Sequence, residues 1–227
     1  VYITPVIGGY IADRYLGQRK AVLFGAVLLT LGHFLMAFEG DGGQADPAIS
    51  IFWLALAFII VGAGFLKANI SVMVGQLYPR TDMRRDGAYT IFYMGINLGA
   101  ALGAIIAGYL GQTYGWAYGF GAAGFGMLFG LLVFMWGKPY LVGRGEPADP
   151  AQLARTVAGI KLEWLLYLVG VGLVGACWFM VQHQSLVGTL LGLFGAALVL
   201  YVVYYSVTAL ETHDRDRIFA AIFLIMC

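Results

Sequence analysis

Ser50-IFWLALAFIIVGAGFLKANISVMVGQ-Leu77 runs for 28 residues with no proline and one charged side chain, Lys67. Roughly 20 apolar residues suffice to cross the hydrocarbon core of a bilayer. No water is present there, so each backbone N–H and C=O must be satisfied within a helix or a closed barrel. Barrel strands alternate apolar and polar positions over about ten residues. This stretch does not alternate, so it reads as a transmembrane helix.

The rest of the chain reads the same way. Apolar residues make up 61% of the 227 and charged residues 11%, against roughly 45–50% and roughly 25% in an average soluble domain. Further apolar segments run from Val1 to about Ala12, then over Ala21–Phe38, Ala88–Gly111, Trp116–Gly137, Leu162–Gln182 and Leu186–Leu210, with a last one from Ile218. The chain opens inside one apolar run and stops inside another, which predicts a fragment cut at both ends. The expected fold class is all-α, a polytopic membrane protein.

Charge orders these segments across the bilayer. Twelve of the thirteen Lys and Arg residues fall in four connections: Arg14, Arg19 and Lys20; Arg80, Arg84 and Arg85; Lys138, Arg144, Arg155 and Lys161; Arg215 and Arg217. The connections Glu39–Ala48, Gln112–Gly115 and His183–Ser185 hold none. The two kinds alternate strictly, and basic loops stay cytoplasmic. Helix count and loop charge therefore give one topology. Trp53, Trp116 and Trp136 sit near expected interfaces, where an amphipathic ring is favoured. Cys177 and Cys227 lie in apolar blocks and read as packing residues rather than a disulfide. The net charge of +1, with no basic patch interleaved with aromatics, gives no sign of nucleic-acid binding.

The thirteenth cation is Lys67. A lysine at the bilayer centre costs about 2.5–3.5 kcal/mol on insertion scales. Snorkelling to the interface would relieve it. Lys67, however, lies about ten residues, or roughly 15 Å, from the cytoplasmic end of its helix, more than twice the reach of a lysine stem. It therefore reads as facing a cavity or a carboxylate. Asn97 stands at a matching distance into the next, antiparallel segment, so the two side chains are expected at nearly the same depth. Tyr93 is one turn from Asn97 on the same face. A cation beside an amide can grip a zwitterion, but an Asn between helices can equally be a structural hydrogen bond; spacing leaves both open. His33 reads as a hydrogen-bonded packing residue, and Asn69 and Ser71 as contacts between helices. The glycines, abundant at Gly62–Gly64 and Gly99–Gly103, read as packing positions. The stretch Gly143–Gly159, with Pro147, Asp149 and Pro150, reads as a flexible cytoplasmic connection. The two helices after it carry few polar side chains and are expected to face lipid. No metal-ligating or nucleophile motif occurs, so neither a metal, a cofactor nor catalysis is expected.

Three stretches carry a resemblance. Gly9-Tyr-Ile-Ala-Asp13-Arg14-Tyr-Leu-Gly17-Gln-Arg19-Lys20 resembles the loop motif between the second and third helices of the major facilitator superfamily. Gly62-Ala-Gly64-Phe-Leu-Lys67-Ala-Asn69-Ile-Ser71 and Asp86-Gly-Ala-Tyr-Thr-Ile-Phe92-Tyr93-Met-Gly-Ile-Asn97-Leu-Gly99 resemble the fourth- and fifth-helix signatures of proton-dependent oligopeptide transporters. The resemblance covers nearly the whole chain, from the end of helix 2 to the start of helix 7. It implies a partial major facilitator bundle: residues 1–137 in the N-terminal bundle, 138–161 a cytoplasmic linker, 162–210 two inserted transmembrane helices, and 211–227 the start of the C-terminal bundle.

It further implies proton-coupled symport of di- and tripeptides across the cell (inner) membrane, with the proton as coupling ion. Lys67 would attract the peptide carboxylate and exchange partners with a helix 1 glutamate. Asn97 would bond the peptide backbone, with Tyr2 and Tyr93 lining the cavity. Asp13 and Arg14 would belong to a cytoplasmic latch. The expected partners are small peptides, protons, the lipid bilayer, and the helix 1 and C-terminal bundle of the same transporter. The family usually has proline after the lysine; here Ala68 stands in its place, which should straighten that helix. Two rival readings remain: the same fold carrying nitrate or another small anion, and a membrane-embedded enzyme or non-transporting scaffold.

Overall fold

The computed structural model describes residues 3–38, 48–157, 159–209 and 218. A short helix α1 (Thr4–Ile11) runs into a π turn (Ala12–Leu16) and then α2 (Gln18–Met36). Next come α3 (Ala48–Gln76), α4 (Arg84–Tyr114) and α5 (Trp116–Trp136). A 3-10 turn (Lys138–Leu141), α6 (Pro150–Ala154) and the two-residue strands β1 (Thr156–Val157) and β2 (Ile160–Lys161) form the connection to α7 (Leu162–Gln182). Helix α8 (Gln184–Ala209) closes the described chain and belongs to a second compact unit, Gln182–Cys227. Six of these helices are long and apolar enough to cross a membrane. Each expected segment in the described region became a helix within a few residues of its expected bounds. The segment expected from Ile218 lies outside the described residues, apart from Ile218 itself.

Lipid is as apolar as leucine, so contact between helices, rather than exclusion from water, drives their association. The sequence meets this with glycine. A Cβ on Gly8 would lie 2.5 Å from the Gly64 carbonyl oxygen, and one on Gly25 2.6 Å from that of Gly62. Backbones of α1 and α2 therefore touch α3 directly. Two side chains pin the α1–α3 contact: Thr4 Oγ1 donates to the Ile60 carbonyl at 3.1 Å, and Asn69 Nδ2 to that of Gly8 at 3.3 Å. Phe24 of α2 packs edge-on to Phe65 and beside Tyr167 of α7, each with centroids 5.1 Å apart. Phe34 meets Phe125 of α5. Helix α7 is not apolar all round in its surroundings, as its sequence suggested: Gly170 and Val174 are buried and Trp178 Nε1 donates to the Ser50 carbonyl at 3.3 Å.

The first three basic connections meet at one end, in line with the charge pattern, and the fourth, with Arg215 and Arg217, lies outside the described residues. Arg19 pairs with Glu146, Lys20 with Glu163, and Gln76 Nε2 donates to Gln18 Oε1 at 3.4 Å. The Gly143–Gly159 stretch is folded onto this end rather than loose. Gly17, at φ +76°, lies so close to Glu146 and Pro147 that a side chain would strike their backbone. Arg19 N–H donates to the Gly145 carbonyl at 2.9 Å. Leu153 of α6 is buried with Ile11, Ala12 and Leu16, and Asp149 caps α6 by accepting from the Ala151 and Gln152 N–H groups. A flexible chain would have no reason to bury a leucine there.

Candidate functional site

Helix α3 has two opposed faces. Val61, Phe65, Asn69 and Met73 recur every four residues and are buried. At 3.6 residues per turn, a residue two positions from both Phe65 and Asn69 lies on the other side. That residue is Lys67, and it is exposed. Among the described residues its side chain makes no hydrogen bond or ion pair. Ala68 sits within an unbroken helix, as expected without the proline.

The Lys67 face continues through Ser71 to Gly75, where α4 crosses it. Tyr89 Oη donates to the Ser71 carbonyl at 3.3 Å. A Cβ on Gly75 would strike the Tyr89 hydroxyl and lie 3.1 Å from Arg85 Nη2, so the glycine makes room for both. On α4, Arg85, Tyr89, Tyr93 and Asn97 form a stripe at four-residue spacing. The Arg85 guanidinium stands 5.8 Å from the Tyr89 ring centroid, and the Tyr89 and Tyr93 rings stack at 6.5 Å. Asn97 Nδ2 donates to the Tyr93 carbonyl at 2.8 Å.

The Tyr89–Ser71 contact sets the register of the two helices. Lys67 and Tyr93 are each four residues beyond it, roughly 6 Å along the axis, and so share a depth. Asn97 lies about one turn deeper, a refinement of the near-equal depth expected for it and Lys67. Arg85 and Tyr89 are half-buried, whereas Tyr93 is 55% exposed and Lys67 and Asn97 are exposed. The helices thus touch at the ends that carry the basic loops and leave the Lys67–Tyr93–Asn97 region accessible within this chain. The ammonium offers three donors. Asn97, with one N–H used, keeps its carbonyl and a second N–H. Such a set can hold a carboxylate and a peptide-like amide together.

The remaining candidate residues are placed as follows. Asp13 and Arg14 are exposed on the π turn, whose closing bond runs from Gly17 N–H to the Ala12 carbonyl at 2.8 Å. Asp13 accepts from Gln18 Nε2 at 2.7 Å. They stand at the end that carries the basic loops, away from Lys67. Tyr2 lies outside the described residues. His33 Nδ1 bonds the Leu29 carbonyl at 2.7 Å, so it donates and the ring is held within its own helix. Cys177 is a free thiol packed beside the core; Cys227 lies outside the described residues. Among the described residues no group of three or more His, Cys, Asp or Glu is placed to hold a metal. Sequence reasoning missed the Arg19–Glu146 and Lys20–Glu163 pairs, the latter joining residues 143 positions apart. No short-range signal could have found them.

Residues 19–160 match the POT family, PTR2. An uncharacterized transporter of Bacillus subtilis strain 168, YclF, is 46% identical over 70% of this chain and 31% of its own. The peptide transporter YePEPT of Yersinia enterocolitica is 31% identical over 100% of this chain and 45% of its own. Among solved structures, a peptide transporter POT in complex with alafosfalin superimposes with a TM-score of 0.72 at 30% identity, over 99% of this chain and 44% of that one. The chain spans less than half the length of the curated relatives it matches. The all-α, multi-pass arrangement with a partial major facilitator bundle is shared with these neighbours. A family match over more than half of its residues, with 99% of this chain superimposing on part of a member's fold, makes this chain a member of the POT family.

Proposed function

We propose that this chain forms part of a proton-coupled symporter that carries di- and tripeptides across the cell (inner) membrane by alternating access. One observation carries the reading: Lys67 is a cation without a partner among the described residues, on the exposed face of a 29-residue apolar helix and turned away from the packed core. An uncompensated intramembrane charge is retained where it has work to do. Carriers of this architecture hold their cargo near the midplane between two rocking bundles. Lys67 binds the peptide carboxylate there. Tyr93 and Asn97 meet the peptide backbone, and Tyr2 lines the same cavity. A carboxylate from helix 1, where the resemblance puts it, pairs with Lys67 when ionised and releases it when protonated, so proton entry and peptide binding are linked. Asp13 and Arg14 act at the cytoplasmic latch. The partners are peptides, protons, the bilayer and the other bundle, and the coupling ion is the proton, with no cofactor.

In the intact carrier, Lys67→Ala should cut proton-driven dipeptide accumulation in proteoliposomes by at least about tenfold, the size of one lost charge-assisted contact. Accumulation at the wild-type level would overturn the role. A small inorganic anion such as nitrate would suit Lys67 equally, but it would leave the Asn97 carbonyl without a donor. Competition of uptake by dipeptides and not by nitrate separates the two. A scaffold would show neither.

A further inference from the structure

The cytoplasmic end holds a second cationic feature that peptide transport does not use. Arg80 from the α3–α4 loop, Arg85 from the first turn of α4 and Arg144 from the connection after α5 line one cleft of about 610 Å³ with Gln76, Tyr78 and Tyr89. Three arginines from three separate segments thus face one space, and no carboxylate lines it. None of the three has an ion-pair partner among the described residues. Arg85 Nε is buried without a hydrogen-bond partner. Arginine cannot shed its proton to escape this, so the cleft is built for an anion that is not part of this packing.

The neighbouring acids do not compensate it. Asp82 lies in an adjoining lobe and is taken by Arg84, whose Nη2 donates to it at 2.8 Å and whose backbone N–H donates to the same carboxylate at 2.9 Å. That bonding holds the Asp82 carboxyl below its ordinary range, so it stays ionised and paired. Asp86 lines that lobe together with Arg80 and Arg85, but it forms no ion pair among the described residues and does not line the three-arginine cleft.

We propose that the Arg80–Arg85–Arg144 cleft binds a phosphate group, and that its source is the headgroup of an anionic phospholipid. Guanidinium forks match phosphate oxygens in pairs, and three converging forks suit a group with several acceptor oxygens. The cleft stands at the cytoplasmic boundary of the membrane helices, where anionic headgroups collect and basic pockets between helices retain them. Its volume exceeds that of inorganic phosphate. One wall is Val72, an apolar side chain on α3 that is 41% exposed. Tyr78 and Tyr89 supply the amphipathic rings of that level.

The test is native mass spectrometry of the intact carrier in detergent, titrated separately with phosphatidylglycerol, phosphatidylcholine and inorganic phosphate. Wild type should retain one phosphatidylglycerol at least tenfold more tightly than phosphatidylcholine. Arg85→Gln and Arg144→Gln should each weaken phosphatidylglycerol at least fivefold, while Arg84→Gln, on the residue paired with Asp82, should not. Arg144 is exposed and outside every helix, so its variant tests the site even if Arg85→Gln fails to fold. Inorganic phosphate that binds and displaces the lipid would support the phosphate chemistry while assigning a soluble source. Equal retention of phosphatidylglycerol by wild type and by Arg144→Gln, or no preference over phosphatidylcholine with no phosphate binding, would overturn the proposal. Because the readout is binding and not uptake, it stands or falls apart from the identity of the cargo.

Discussion

Helices α3 and α4 are antiparallel neighbours of nearly equal length, 29 and 31 residues, yet a third of the most apolar stretch of α3 is buried and none of that of α4 is. Both are rich in glycine, and the glycines differ in what they do. Those of α3 put backbone against backbone: Gly62 against Gly25, Gly64 against Thr4. On α4, a Cβ at Gly87, Gly95, Gly99, Gly103 or Gly108 would meet nothing within 4 Å. One helix is fixed by its neighbours, and the other presents a polar stripe they do not use. Lys67 belongs to the presenting side, on the one face of α3 that α1 and α2 leave open.

The sharpest way to break this contrast is to add the same bulk to each side. Gly8→Leu would drive a side chain into the Gly64 backbone, which cannot swing aside as a side chain could. Overpacking costs about 1–3 kcal/mol, so the intact carrier should lose about that much stability and melt several degrees lower. Gly95→Leu, which meets no atom of this chain within 4 Å, should lower the melting temperature by less than Gly8→Leu does and show its main effect in transport. Equal drops at both positions would erase the distinction between the helices.

Two asparagines sharpen it further. Asn69 is 1% exposed and bonds the carbonyls of Gly8 and Phe65, so it ties α1 to α3. Asn69→Ala should cost about 0.6–2 kcal/mol, the range for polar contacts between membrane helices, with little change in the KM for peptide. Asn97 bonds its own helix and is exposed. Asn97→Ala should leave melting unchanged and raise KM about tenfold, the loss of roughly 1.4 kcal/mol of hydrogen bonding to cargo. A melting loss at Asn97 matching that at Asn69 would make it structural.

The contrast itself was only partly legible in the sequence. Segment length and hydropathy sufficed for the helices, because a bilayer admits few alternatives. The alternation of basic loops sufficed to put the first three basic connections at a common end of the helices. Lys67 stood out because one charge in 28 apolar residues is costly. The register between α3 and α4 was not legible: it rests on Tyr89 reaching a backbone carbonyl past Gly75, and a carbonyl carries no sequence signal. The connection at 143–159 looked loose by its prolines and glycines, but its fold depends on Gly17 and Leu16, more than a hundred residues earlier. The arginine cleft was hidden for the same reason. Arg80, Arg85 and Arg144 had been explained one by one as loop charges that fix topology, and only folding brings them to one space.

The smallest effect expected lies in the ion pair between Lys20 and Glu163, which ties the start of α2 to the start of α7. Nζ and Oε1 are 2.6 Å apart, with the side chains 28% and 29% exposed. Tyr167 also donates to Glu163, at 3.3 Å. Half-exposed pairs contribute up to about 1 kcal/mol, so Lys20→Glu or Glu163→Lys alone should lower the melting temperature by no more than about 4 °C. The double reversal should recover part of that. The difference should shrink at about 1 M salt, where screening acts within about 3 Å. Helix α7 is then held chiefly by Phe24 against Tyr167 and by the burial of Gly170 and Val174, which reversal leaves intact. If instead Glu163→Lys destabilises as much as Gly8→Leu, and salt does not relieve it, the pair and not the packing fastens α7, and the cytoplasmic charges set the bundle's cohesion as well as its orientation.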